Sequence, residues 1–105
     1  LYYNRFILSI EECFKKPRKK MTVSATAYSG DKITSTGTIP RWGVIAVDPS
    51  VIPYGSTVYI PIFNRYFIAE DCGGRIKGNR IDIFMTSEQK CRNWGVRKIE
   101  IEILE

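Results

Sequence analysis

The order of apolar and polar positions changes period once along this chain. In residues 1 to 16, Tyr3, Phe6, Ile7, Ile10, Cys13 and Phe14 recur at helical spacing, which predicts an amphipathic helical leader whose apolar stripe needs a partner. A homodimer through that leader is one expectation. Pro17 ends the helix, and the leader with its basic linker is assigned to residues 1–20. From Met21 the period becomes two. Thr22, Ser24 and Thr26 alternate with Val23, Ala25 and Ala27, predicting a strand that ends at Tyr28. A turn at Ser29-Gly30-Asp31 and a polar loop from Lys32 to Thr38 follow. Val44 to Val47 reads as a buried strand stopped by Asp48-Pro49-Ser50, and Ile52-Pro53-Tyr54-Gly55 as a tight turn. Strands are predicted at Thr57 to Ile60 and Tyr66 to Ala69, joined through Asn64-Arg65. Ser87 is positioned as the N-cap of a short helix to about Asn93 with Gly95 beyond it, and Lys98 to Ile103 closes the chain as a half-buried strand. Six or seven short strands without a βαβ rhythm predict an all-β domain over residues 21–105. A closed barrel suits it, because closure removes exposed edges.

The stretch that concentrates chemistry is IAEDCGGRIKGNRIDIFM, from Ile68 to Met85. Ile81, Ile83 and Met85 alternate with Asp82, Phe84 and Thr86, which turns Asp82 to the face opposite the isoleucines. Asp71 ends the preceding strand. Gly73, Gly74 and Gly78 are expected to adopt positive φ and let the backbone approach a ligand. Two carboxylates therefore flank one loop. The plainer account is a polar turn in which Asp71 caps amides and Asp82 is solvated.

Charge and cysteine content narrow the classes. The 105 residues carry a net charge of +5, with six basic side chains against two acidic ones before Met21 and ten against nine after it. The positive balance thus lies in the leader, which argues against a nucleic-acid-binding domain. The KKPRKK run reads as a solvated linker or a patch for anionic envelope polymer or lipid headgroups. The chain has no histidine, and Cys13, Cys72 and Cys91 lack CxxC spacing, so a zinc site is not expected. Cys72 and Cys91 could pair in an exported protein. No apolar run is long enough to span a bilayer as a helix. Because the chain opens on Leu1, a signal or anchor upstream is expected.

The order Thr26-Ala27-Tyr28, Thr36-Gly37, Ile45-Ala46-Val47-Asp48, Ile52-Pro53-Tyr54-Gly55, Ala69-Glu70-Asp71 with Gly73-Gly74, and Gly78-Asn79-Arg80-Ile81-Asp82 resembles the 3D domain, named for three aspartates, here Asp48, Asp71 and Asp82. That family is similar to the stationary-phase survival group of Gram-positive wall proteins and to the barrel of MltA-type lytic transglycosylases. The resemblance implies a six-stranded double-psi β-barrel with one short peripheral helix, in the cell envelope. It implies cleavage of the β-1,4 bond between N-acetylmuramic acid and N-acetylglucosamine in peptidoglycan, with a 1,6-anhydro product. In such a reaction one carboxyl can serve as acid and then base, and Asp82 is the choice, with Asp71 raising its pKa by like charge or orienting it. Thr26 and Tyr28 match groove positions of related barrels. Lys32, Lys77 and Arg80, with Gly73 and Gly74, are the other substrate-binding candidates. Asp48 is grouped with them, although an Asx-type turn accounts for it without any substrate. No cofactor is implied. The rival from another class is a non-catalytic wall-polysaccharide-binding module of the RlpA or expansin kind. A Ca²⁺ site built from the three aspartates is a third reading, disfavoured because EF-hand spacing is absent.

Overall fold

The computed structural model describes residues 18–30 and 33–104. Among the described residues, six strands, β1 (Arg18–Tyr28), β2 (Val44–Ala46), β3 (Thr57–Ile60), β4 (Arg65–Asp71), β5 (Arg80–Phe84) and β6 (Arg97–Leu104), are accompanied by one α-helix, α1 (Glu88–Trp94). They close into a barrel in the order β1-β5-β2-β4-β3-β6. The sheet is mixed: β1 with β5 and β2 with β4 run parallel, and the other four pairings are antiparallel. The period-two pattern explains the interior. Val23, Ala25, Ile45, Val58, Ile60, Phe67, Ala69, Ile81, Ile83 and Ile101 point inward and are at most 1% exposed, while most alternate positions are more exposed and β2 is buried on both faces.

The predicted strands all form, and the differences lie at their ends. β1 begins at Arg18, three residues before Met21, so the end of the basic run is strand and not solvated linker. The cause is β6, which continues to Leu104 and offers Arg18, Lys19 and Lys20 backbone partners. Arg18 is further fixed by Glu102 at 3.3 Å and the Tyr66 hydroxyl at 2.7 Å. Between β3 and β4 the chain makes a 3₁₀ turn at Pro61–Phe63, with Asn64 in the left-handed conformation at φ 50°. The leader helix over residues 1 to 16, its dimer contact, Cys13 and Lys32 fall outside the described residues.

Helix α1 begins and ends as its sequence predicts. The Ser87 hydroxyl accepts the Lys90 N–H at 3.2 Å, and Gly95, at φ 65°, donates its N–H to the Cys91 carbonyl. The Trp94 indole N–H donates to the Ala25 carbonyl at 3.0 Å, pinning the helix to β1. Its ring also stacks on Phe63 with centroids 5.2 Å apart. The Cys72–Cys91 bridge is not formed. Cys91 packs against the core from α1, Cys72 lies exposed after β4, and both are free thiols. Among the described residues no helix is long and apolar enough to cross a membrane.

Trp94 is nearly buried and its N–H satisfies a strand carbonyl, so Trp94→Ala both opens a cavity and leaves an acceptor unpaired. Urea unfolding should show a loss of about 3–5 kcal/mol. A loss below about 1 kcal/mol would mean that the helix is not anchored through this ring.

Candidate functional site

A register shift assembles the site. Ile45 of β2 pairs with Ala69 of β4, but the next residue, Ala46, pairs with Asp71, so Glu70 is the extra residue of a bulge. Strict alternation would place Asp71 on the inward face with Ala69. The bulge turns it to the outward face shared by Ala46 and by Asp82, the antiparallel partner of Ala46 on β5. Asp71 and Asp82 thus flank Ala46 from opposite sides, about two strand spacings or ~10 Å apart along the sheet. On the other side of β5, Thr26 of β1 is the parallel partner of Asp82, and Tyr28 follows it on the same face.

The hydrogen bonds follow from this register. Thr26 donates its hydroxyl to Asp82 Oδ1 at 3.0 Å. Tyr28 donates to Asp71 Oδ2 at 3.3 Å, and its ring meets Phe84 edge to face at 5.5 Å. Asp71 Oδ1 accepts the Ser35 N–H at 2.9 Å, the Ser35 hydroxyl at 2.8 Å and the Cys72 N–H at 2.9 Å. Asp71 therefore does cap amides, and it joins the loop after β1 to the end of β4 while doing so. Glu70, displaced by the bulge, reinforces that seam. It accepts from Arg41 at 2.8 and 3.2 Å and from Thr38 at 2.9 Å.

Electrostatics separate the two central carboxylates. Burial on the barrel wall pushes the Asp82 pKa up, opposed by the Thr26 hydrogen bond and the Arg80 charge, and Asp71 adds a smaller upward push. The expected like-charge push from Asp71 is present, and burial is the larger cause. Tyr28 is also shifted upward, first by burial and then by Asp71, so it stays a hydrogen-bond donor. The Cys72 thiol is held below its ordinary value by hydrogen bonds from Ser35 and then Tyr54.

The sequence candidates do not all converge. Thr26, Tyr28, Asp71 and Asp82 do. Arg80 lies two residues before Asp82, and its Nε is buried with no hydrogen-bond partner among the described residues. Asp48 serves the scaffold: it accepts from the Ser50 N–H and hydroxyl, and from the Gly78 N–H at 2.9 Å, fixing the loop that feeds β5. Of the three loop glycines only Gly78 has positive φ, at 67°. Gly73 and Gly74 instead belong to a turn closed by the Ile76 N–H on the Gly73 carbonyl, which tucks Ile76 into a buried position. Lys77 is exposed beside Asp48. Among the described residues no three acidic or cysteine side chains converge as a metal cage.

Next to Asp71 lies a cleft of about 450 Å³, walled by Tyr28, Ile33, Ser35, Pro40, Asp71 and Cys72. Asp82 is not one of its walls and reaches this face through Thr26 and Tyr28. Two contributors were missed in the sequence. Ser35 sat in a threonine- and serine-rich loop with no local sign of its partner. The sequence shows Tyr54 only as part of a turn, yet the Gly55 N–H bonds the Ala69 carbonyl and so holds that turn against β4, with the Tyr54 hydroxyl at Cys72 and Ser35.

The hydrogen bonds of Asp48 hold its carboxyl down at about 2, against an ordinary value of 3.8. A depressed folded-state value means that its stabilisation is full above about pH 4 and disappears as pH falls towards 2. Asp48→Asn should therefore unfold at a lower temperature than wild type at pH 7, with the gap closing between pH 4 and pH 2. An equal gap at both ends of that range would contradict the role given to the carboxylate.

Comparison with known proteins agrees with this geometry. The 3D domain model matches residues 43–105. The cell wall-binding protein YocH of Bacillus subtilis (strain 168) is 43% identical over 82% of this chain, which spans only 33% of that relative's length. Among solved structures, MltA from E. coli with bound chitohexaose superposes with a TM-score of 0.58 at 20% identity, over 72% of this chain and 28% of that one. The lytic transglycosylase LtgG of Burkholderia pseudomallei gives 0.54 at 28% identity, over 70% and 26%. At 20% identity the MltA likeness is one of fold, and this closed mixed barrel is MltA-like. With more than half of its length matched by the family model, the chain belongs to the 3D domain family.

Proposed function

We propose that this chain is the peptidoglycan-cleaving domain of an extracytoplasmic cell-envelope protein, with a double-psi barrel that acts as a lytic transglycosylase. The observation that carries the reading is Asp82, a half-buried carboxyl on an outward face whose pKa is raised by burial and which accepts a hydrogen bond from Thr26. A general acid must hold its proton more tightly than a solvated carboxyl does, and desolvation shifts Asp82 in that direction. Asp82 protonates the glycosidic oxygen between N-acetylmuramic acid and N-acetylglucosamine as the C–O bond breaks. Its carboxylate then takes the proton of the sugar's 6-hydroxyl as that oxygen closes on the anomeric carbon, giving the 1,6-anhydro end. Asp71 holds Tyr28 and Ser35 in place beside the cleft. Arg80, two residues before Asp82, sets a positive charge beside that carboxyl. The two parallel pairings in a six-stranded closed sheet support the double-psi arrangement.

A second reading has its own support. The relative YocH is named for cell-wall binding, and a binding module on this barrel would use the same cleft without proton transfer. The two readings part at Asp82. Release of soluble fragments from purified peptidoglycan should fall by ~10² or more in Asp82→Asn, the usual scale for loss of a general acid. Asp71→Asn removes a negative charge that raises the Asp82 pKa, so the alkaline limb of the activity profile should move to lower pH. If folded Asp82→Asn releases fragments as fast as wild type, the catalytic assignment fails. If wild type binds the wall and releases nothing, the binding module replaces it.

A further inference from the structure

A second cleft of about 450 Å³, which shares no lining residue with the one beside Asp71, is floored by Trp42, Phe63, Met85 and Trp94 and edged by Lys90 and Arg97. Its volume falls in the range of small-ligand sites. Its charge is one-sided. Asp and Glu are absent from its described lining, and among the described residues neither Lys90 nor Arg97 has an ion-pair partner. Glu88, the acidic residue of the same helix, is turned to Arg92 at 3.7 Å. Lys90 Nζ donates, among the described residues, to the Thr86 hydroxyl at 3.1 Å. Arg97 spends two donors on the Trp94 and Asn93 carbonyls. Donor capacity remains on both cations.

The aromatic floor does not suit a stacked sugar. The Arg97 guanidinium covers a face of Trp94 at 4.2 Å, Phe63 stacks on the same ring, and Arg65 lies over Trp42 at 5.4 Å. Ring faces are thus engaged within the protein, and ring edges, which carry partial positive charge, are what remain for a ligand. Edges, a thioether and two cations together select a small apolar body that carries an anion.

Position then connects the cleft to the barrel wall. Thr86 at its rim lies four residues beyond Asp82 on β5 and its continuation, at most about 14 Å away by chain reach. A peptide of about four residues attached to a sugar at Asp82 covers that span. We propose that this cleft is a subsite for a short peptide with small apolar side chains and a free carboxylate, the carboxylate lying between Lys90 and Arg97. The proposal rests on the peptidoglycan reading for the attachment of peptide to glycan.

The test is an amide-resolved NMR titration of the whole chain with three separate probes. These are the peptide Ala-Glu-Lys-Ala-Ala with a free C-terminus, the same peptide as its C-terminal amide, and chitohexaose. The free acid should move the Trp94 indole N–H and the Lys90 and Asn93 amides. Binding should weaken by roughly tenfold for the amide and for Lys90→Gln, the scale of one lost charge-assisted hydrogen bond. Equal affinity for acid and amide, shifts confined to other surfaces, or no shift at all would overturn the subsite. Chitohexaose should move Thr26, Tyr28 and Asp82 instead. If it moves nothing while the acid still fills the cleft, the glycan reading fails and the peptide site stands.

Discussion

Ala46 carries the constraint on which the candidate site depends. It is a small, nearly buried residue between β4 and β5, and its register forces one extra residue into β4. Without that bulge Asp71 would point into a core of Ile45, Ala69 and Ile83, where an unpaired carboxylate is costly. With it, Asp71 and Asp82 share the outward face, Glu70 is freed to bind Arg41, and the loop after β1 is sewn across the barrel. Fold and chemistry meet at one irregular rung.

Around that rung the two aspartates acquire different surroundings from the same sheet. Asp71 accepts four hydrogen bonds and organises neighbouring groups. Asp82 accepts from one side chain on a desolvated wall and gains affinity for its proton. Asp48, the third member, binds the Ser50 amide and hydroxyl and the Gly78 amide, and its link to Gly78 sets where β5 begins. Of the three carboxylates, then, one is suited to proton transfer, one to positioning and one to holding a loop.

The period-two alternation made the strands and the inward and outward faces legible, because side-chain direction in a strand depends only on parity. Asp82 was therefore assigned to the correct face, and Ser87 and Gly95 marked the helix ends through cap chemistry that is local. What stayed hidden was non-local. The bulge at Glu70 has no local signature, so the position of Asp71 relative to Asp82 had to come from the pairing with β2. Ser35 and Tyr54 reach Asp71 and Cys72 across tens of residues of sequence. The loop glycines misled for a related reason: Gly73 and Gly74 make a turn that buries Ile76, and only Gly78 uses the left-handed region. Arg18 to Lys20 read as linker because their partner strand lies at the far end of the chain.

The central claim is that this barrel breaks the glycan by intramolecular attack of the sugar's own 6-hydroxyl. The most direct measurement is mass spectrometry of the fragments released when the chain is incubated with purified peptidoglycan. The account predicts fragments ending in 1,6-anhydro-N-acetylmuramic acid. Reducing ends would place water at the anomeric carbon and contradict the proposed role of Asp82, and a glycan left intact with the protein bound to it would contradict cleavage altogether.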